Sequence, residues 1–128
     1  MNIKDIESEV AKMFEVDTMG DRIVVRSDFF CSCEETSGIT LCITLENDEI
    51  TITDMCETYE KLLRCGIEID SKQNEEKLGR ILEYSLTQFD KETKEFFVKV
   101  GDIEDISFAL IRMFQTILVA GAFDIYTK

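Results

Sequence analysis

"GITLCITLENDEITITD", residues 38–54, is the stretch whose reading decides the fold. Ile39, Leu41, Ile43 and Leu45 alternate with Thr40, Cys42 and Thr44; after Glu46-Asn47-Asp48-Glu49, Ile50 and Ile52 alternate with Thr51 and Thr53. Period two places the Ile/Leu set on one face of a strand, and β-branched residues suit a pleated, half-buried surface. Asn-Asp is ordinary turn chemistry. The stretch therefore predicts two strands joined by an acidic tip. From Asp54 the period changes: Asp54 can cap a helix with Met55, Tyr59, Leu62 and Leu63 as its stripe, and Gly66 suits the position just past that helix's end.

Working outward toward the N-terminus, residues 28–37, DFFCSCEETS, are the least regular stretch. Before them, Arg22–Arg26 reads as a strand that follows a Gly20-Asp21 break. Residues 3–14 set Ile3, Ile6, Val10, Met13 and Phe14 at helical spacing. Toward the C-terminus, Ile67-Glu68-Ile69 is a short extended connector. Asp70 or Ser71 caps a helix through about Tyr84, with Leu78, Ile81 and Leu82 inward. Residues 86–90 and 95–100 predict a second hairpin around Lys91–Lys94. Asp102, Glu104 and Asp105 stand where a helix N-terminus favours negative charge. Residues 106–123 then run almost wholly apolar, as expected of a central helix.

The expected order is α-β-β-β-α-α-β-β-α. The fold class is α+β: an antiparallel sheet of two hairpins plus one extra strand, packed against helices. Residues 1–128 are expected to form a single domain, since that length suffices to bury a sizeable core. No linker-like or low-complexity tract interrupts the chain.

Charge bounds the partners. Twenty-seven acids against fourteen bases leave a net charge of −13. Such a surface repels nucleic acid and anionic lipid, because phosphate binding needs clustered Lys and Arg. No run of apolar residues is long enough to span a bilayer, so no membrane association is expected. The acidic N-terminus MNIKDIESEV lacks the apolar core of a secretory signal. The five cysteines (Cys31, Cys33, Cys42, Cys56 and Cys65) are an odd set without a regular framework. They read as reduced thiols of a cytoplasmic protein.

Several of these features together resemble a known family. The hairpin running into "ITDMCETYEKLLRCGIEI", a Lys/Glu-rich helix, "EFFVKV" and a closing apolar helix are similar to the domain-of-unknown-function family 1828, over residues 20 to 123 or so. The matching positions are Thr53, Asp54, Thr58, Leu62, Gly66, Phe96, Phe97, Val98 and Lys99. That family usually has Asp-Gly after the Thr-Asp pair, where this chain has Met55-Cys56. The resemblance implies a setting in bacteria or their phages, including conflict between the two. It implies no reaction.

The chemistry of the residues excludes more than it offers. Without a histidine, a Cys-His or Ser-His pair is impossible and the commonest general base at neutral pH is absent. Cys31-Ser-Cys33 with Cys42, Cys56 and Cys65 could supply thiolates to zinc, but no Cys-x-x-Cys pair exists, and no metal or other cofactor is expected. "DKETKE" contains Asp90, Glu92 and Lys94, part of a restriction-type nuclease signature, yet it falls in the turn of a hairpin. No Gly-rich loop follows a strand. Phe29 and Phe30 are adjacent, so on a strand they point to opposite sides and one can be exposed beside acids.

The leading expectation is a small acidic binding module, not an enzyme, encoded by a phage or mobile element. It docks on a basic surface of a host protein, such as a nucleic-acid-binding defence factor, without touching nucleic acid itself. Its candidate contact residues are Phe29, Phe30, Glu34, Glu35, Glu46, Asp48 and Glu49. One alternative is a metal-dependent nuclease or hydrolase that uses hairpin carboxylates. Another, resting on the apolar final helix, is a homo-oligomeric structural module.

Overall fold

A computed structural model describes residues 2–31 and 34–122, with side chains throughout except at 28–37. Its strands are β1 (Glu15–Met19), β2 (Arg22–Cys31), β3 (Glu34–Glu46), β4 (Glu49–Thr53), β5 (Gln88–Asp90) and β6 (Glu95–Val100). Its helices are α1 (Ile3–Ala11), α2 (Glu57–Arg64), α3 (Glu75–Ser85) and α4 (Ile106–Gly121). The architecture is α+β, with all six strands in one antiparallel sheet ordered β1-β2-β3-β4-β6-β5.

The alternation read from residues 39–53 is the alternation of burial. Ile39, Leu41, Ile43, Ile50 and Ile52 are buried, and Phe96, Val98 and Val100 of β6 continue the same face across the sheet. That face joins one apolar cluster with Ile6 and Val10 of α1, Leu62 of α2, Leu78 and Ile81 of α3, and the inner side of α4. Among the described residues the helices pack on that side, and the other face of the sheet carries the half-buried Val24, Thr44, Thr51 and Thr53 around the buried Cys42. Leu110, fully buried at the middle of α4, is a position where truncation to Ala would cost about 2–5 kcal/mol.

Helix ends follow the local chemistry. Asn2 caps α1, its Oδ1 accepting from the Asp5 N–H at 2.9 Å. Gly66, at φ +83, closes α2: its N–H donates to the Leu63 carbonyl and the Ile67 N–H to the Leu62 carbonyl. Asp102 caps a 3-10 turn, Ile103–Asp105, that leads into α4. Thr116 sits in the apolar core, where its hydroxyl donates to the Arg112 carbonyl at 2.8 Å. With that proton committed, the Thr87 hydroxyl is the donor in the 3.0 Å contact between Thr87 and Thr116.

Four details differ from the sequence reading. A further strand, β1, pairs with β2 across the Gly20-Asp21 turn; as an edge strand it is exposed but for the half-buried Val16, so no apolar alternation announced it. The backbone of residues 28–31 and 34–37 continues β2 and β3 as strand, and its irregularity takes the form of register shifts at Arg26/Phe30 and Phe30/Cys31. The inner face of α2 is Thr58, Lys61 and Leu62, while Met55 and Leu63 are exposed. Helix α3 begins at Glu75 because residues 71–74 form turns instead, with the Asn74 amide donating to the Glu68 carbonyl at 2.9 Å. Of the apolar run 106–123, Phe123 lies outside the described residues.

Candidate functional site

The seven candidate contact residues do not converge. β2 and β3 run antiparallel, so the residue 32–33 connection and the Asn47-Asp48 turn lie at opposite ends of the strand pair. Phe29, Phe30, Glu34 and Glu35 belong to the first end, and their side chains lie outside the described ones. Glu46, Asp48 and Glu49 belong to the other, eleven residues along β3 from Glu35, or about 35 Å at an antiparallel strand's rise.

The second end gathers more acid than the hairpin alone contains. Asn47 and Asp48 both adopt the left-handed region, φ 52 and 60, as a two-residue turn of this twist requires. Glu46 and Glu49 are thereby direct cross-strand partners, an arrangement in which like charges disfavour the hairpin. Asp21 joins them from the β1–β2 turn, because Arg22 is in register with Thr44. Asp102 follows β6, because Val100 is in register with Ile50. Asp21, Glu46, Asp48, Glu49 and Asp102 are all exposed. The bases nearest them in the sheet are Arg22 and Lys99, the latter 3.5 Å from Glu49. Register sets Asp21 and Asp102 beside the hairpin tip, so no local motif could have revealed them.

Asp54 stands at the other end of β4 and is a different kind of acid, 1 % exposed. Its Oδ1 accepts from the Cys56 N–H at 3.1 Å and the Phe96 N–H at 3.0 Å, and its Oδ2 accepts from the Thr58 N–H at 3.2 Å. Its own N–H donates to the Phe96 carbonyl at 3.1 Å. The carboxylate thus does the capping expected of it and also ties α2 to β6, which no local pattern indicated. Burial pushes its pKa up to about 6, against the opposing pull of the Thr58 side-chain bond and the three N–H donors. The turn it organises holds Met55 and Cys56 both at positive φ, 56 and 69. Asp-Gly, which the family resemblance expects at these positions, adopts that conformation at lower cost.

The Asp90, Glu92 and Lys94 trio serves its own turn. The Asp90 carboxylate accepts from the Glu92 and Thr93 N–H groups at 2.8 and 3.2 Å. Lys94 is bonded to Asp70 at 2.5 Å, and its ammonium stands 5.3 Å from the Tyr59 ring centroid. The bond to Asp70 raises the Lys94 pKa. Burial alone would raise Asp70, but the bonds from Lys94 and Tyr59 outweigh it and hold that carboxyl below its ordinary value. Burial and the bond to Asp70 push the Tyr59 phenol upward. The cluster pins α2, the turns before α3 and the β5–β6 hairpin to one another.

The thiols are dispersed in role. Cys42 is buried in β3, Cys56 is half-buried and Cys65 is exposed; Cys33 and the Cys31 side chain lie outside the described part. Burial raises the pKa of both Cys42 and Cys56, which disfavours the thiolate that metal binding or nucleophilic attack would use. Both line a shallow depression of about 420 Å³ on the open sheet face, together with Arg22, Thr44, Met55 and Glu95. Among the described residues, no three His, Cys, Asp or Glu side chains are gathered as a metal ion would need. Among the same residues, no helix is long and apolar enough to cross a membrane. Sequence reasoning also passed over Lys61, 6 % exposed on the inner face of α2, with its ammonium 3.4 Å from the Glu57 carboxylate.

One comparison with known proteins returns a match: the family described as "Domain of unknown function DUF1828" matches residues 30–119, more than two-thirds of the chain. No curated protein and no solved structure matches the chain.

Proposed function

The chain belongs to the DUF1828 family, and we propose that it is a non-enzymatic binding module that docks through the acidic end of its sheet on a basic surface of another protein. The observation that carries this reading is the opposed Glu46–Glu49 pair at the hairpin tip, flanked by Asp21, Asp48 and Asp102. A directly opposed like-charge pair weakens the hairpin that bears it, and the exposed Glu49–Lys99 ion pair at 3.5 Å offsets little of that. The carboxylates suit a surface that becomes neutralised on contact. The net charge of −13 would add long-range attraction for a basic partner and hasten the encounter at low salt.

The partner's chemistry follows from this. A protein face rich in Lys and Arg is most often one that holds nucleic acid, and an acidic domain seated on it would exclude that nucleic acid. The proposed setting is the cytoplasm of a bacterium, with the gene carried by a phage or mobile element and a host nucleic-acid-binding defence protein as the target. Phe29, Phe30, Glu34 and Glu35 are not required by this reading.

Affinity capture from bacterial lysate tests it, with the full chain as bait beside a Glu46→Gln/Asp48→Asn/Glu49→Gln variant. The expected result is a basic protein retained by the unaltered chain, released by raised salt and depleted on the variant. Absence of any salt-sensitive partner, or equal retention by both baits, would contradict the proposal.

A further inference from the structure

The face of the sheet turned away from the helices holds two opposite charges across one depression. Arg22 precedes the buried Ile23, and Glu95 the buried Phe96, so both point to that face. Both line the depression of about 420 Å³ that also takes in Cys42, Thr44, Thr51 and Met55. Its volume is that of a small-ligand pocket. The Glu95 carboxylate is half-buried and accepts a bond at Oε2 from the Thr53 hydroxyl, and a carboxylate has room for further donors. Arg22 is exposed at the opposite side, and among the described residues it forms no salt bridge, unlike Arg26 and Lys99. Cys42 lies between the two: burial is the main cause of its raised pKa, Arg22 pulls that value down and Glu95 pushes it up. Strand register fixes the separation. Arg22 is in register with Thr44 and Thr44 with Thr51, which sets the Arg22 Cα about 12 Å from that of Thr53.

We infer that the depression binds a short peptide with free ends, its carboxylate on Arg22 and its ammonium on Glu95. Charge complementarity selects the occupant. A ligand of one sign meets one favourable pole and one unfavourable one, whereas a zwitterion satisfies both. It also carries no net charge, so the field of a chain at −13 neither repels it nor draws it to the acidic end of the sheet. Length selects among zwitterions. The charges of a single α-amino acid lie too close together to reach both poles, whereas three extended residues span about 10 Å. Between the poles, the half-buried Thr44 and Thr51 are cross-strand partners, with hydroxyls that can donate to or accept from peptide groups. Met55 is 42 % exposed, and its N–H donates to the Thr53 hydroxyl at 3.0 Å. It therefore offers the ligand an apolar contact at the ammonium end. This site shares no residue with the acidic end of the sheet and does not depend on it.

Titration of the isotope-labelled full chain with trialanine, followed through its backbone amide resonances, tests this. The expected result is saturable shifts at residues 42–44, 51–56 and 95, with a Kd of about 1 mM. N-acetyl-trialanine lacks the ammonium and trialanine amide lacks the carboxylate; each should bind about five- to tenfold more weakly. Alanine alone should bind no better than the blocked peptides. Arg22→Gln should weaken free trialanine by a similar factor and abolish its advantage over the amide. Glu95→Gln, which keeps an acceptor for Thr53, should abolish its advantage over the acetylated peptide instead. A merely structural loss would not sort the two blocking groups in this way. Absence of saturable shifts up to about 20 mM trialanine would overturn the inference. So would binding indifferent to both blocking groups, or variants that weaken free and blocked peptides equally.

Discussion

The two ends of β4 carry acids of opposite character. At its start, Glu49 and its neighbours Glu46 and Asp48 are exposed, and two of them face each other across the ladder. Immediately after its end, Asp54 is enclosed, with three backbone N–H groups bonded to its carboxylate. Four residues of strand, Ile50–Thr53, separate a group whose removal would orphan buried donors from groups whose neutralisation would relieve repulsion. Composition alone counts these acids as equivalent; burial and hydrogen bonding make one scaffold and the others surface.

Asp54→Ala is the harshest way to break that contrast. It leaves buried N–H groups at Cys56, Thr58 and Phe96 without an acceptor, and should lower the unfolding free energy by about 3–5 kcal/mol in urea denaturation. A loss under about 1 kcal/mol would show that the staple between α2 and β6 has little structural weight.

The pH dependence comes next in size, and its sign is unusual for a carboxylate. With the folded pKa of Asp54 at about 6 and the unfolded value near 3.9, the folded protein binds the extra proton. This contribution is therefore fully present below the unfolded value and is lost as pH rises through about 6. Stability should rise by about 2 kcal/mol on going from pH 7 to pH 4.5. Asp54→Asn should remove that slope. Asp70 acts in the opposite sense: its depressed pKa means that the Lys94 bond stabilises above the unfolded carboxylate value and is lost as pH falls below it. Denaturation midpoints at pH 7, 4.5 and 3 should separate the two acids.

Cys56→Gly tests the turn that Asp54 organises. Relief of the left-handed strain at φ 69 should raise stability by about 0.5–1 kcal/mol, less the entropy that glycine adds to the unfolded chain. The smallest effect belongs to the tip. Glu46→Gln/Asp48→Asn/Glu49→Gln should leave stability within about 0.5 kcal/mol, with any change toward greater stability. A loss comparable to that of Asp54→Ala would mean that the tip is scaffold too.

What could be read from the chain was what local periodicity encodes. Residues 39–53 and 96–100 alternate because one face meets a core, and α4 is apolar on most sides because sheet and helices enclose most of it. β1 was silent because an edge strand with only Val16 half-buried needs no alternation. The start of α3 was misplaced because Asp70, a plausible cap, is drawn instead to Lys94, 24 residues away. The same holds for the sites. Capping by Asp54 was legible, but its bond to Phe96 spans 42 residues. The tip acids were legible too, whereas Asp21 and Asp102 join them only through strand register.

Hydrogen exchange of the full chain, alone and with the captured basic partner, tests the central claim most directly. The proposed docking predicts new protection at residues 20–22, 46–50 and 100–105, with exchange elsewhere unchanged. Protection confined to α4, or to the open sheet face around Cys42 and Thr51, with the hairpin tip unaffected, would contradict it.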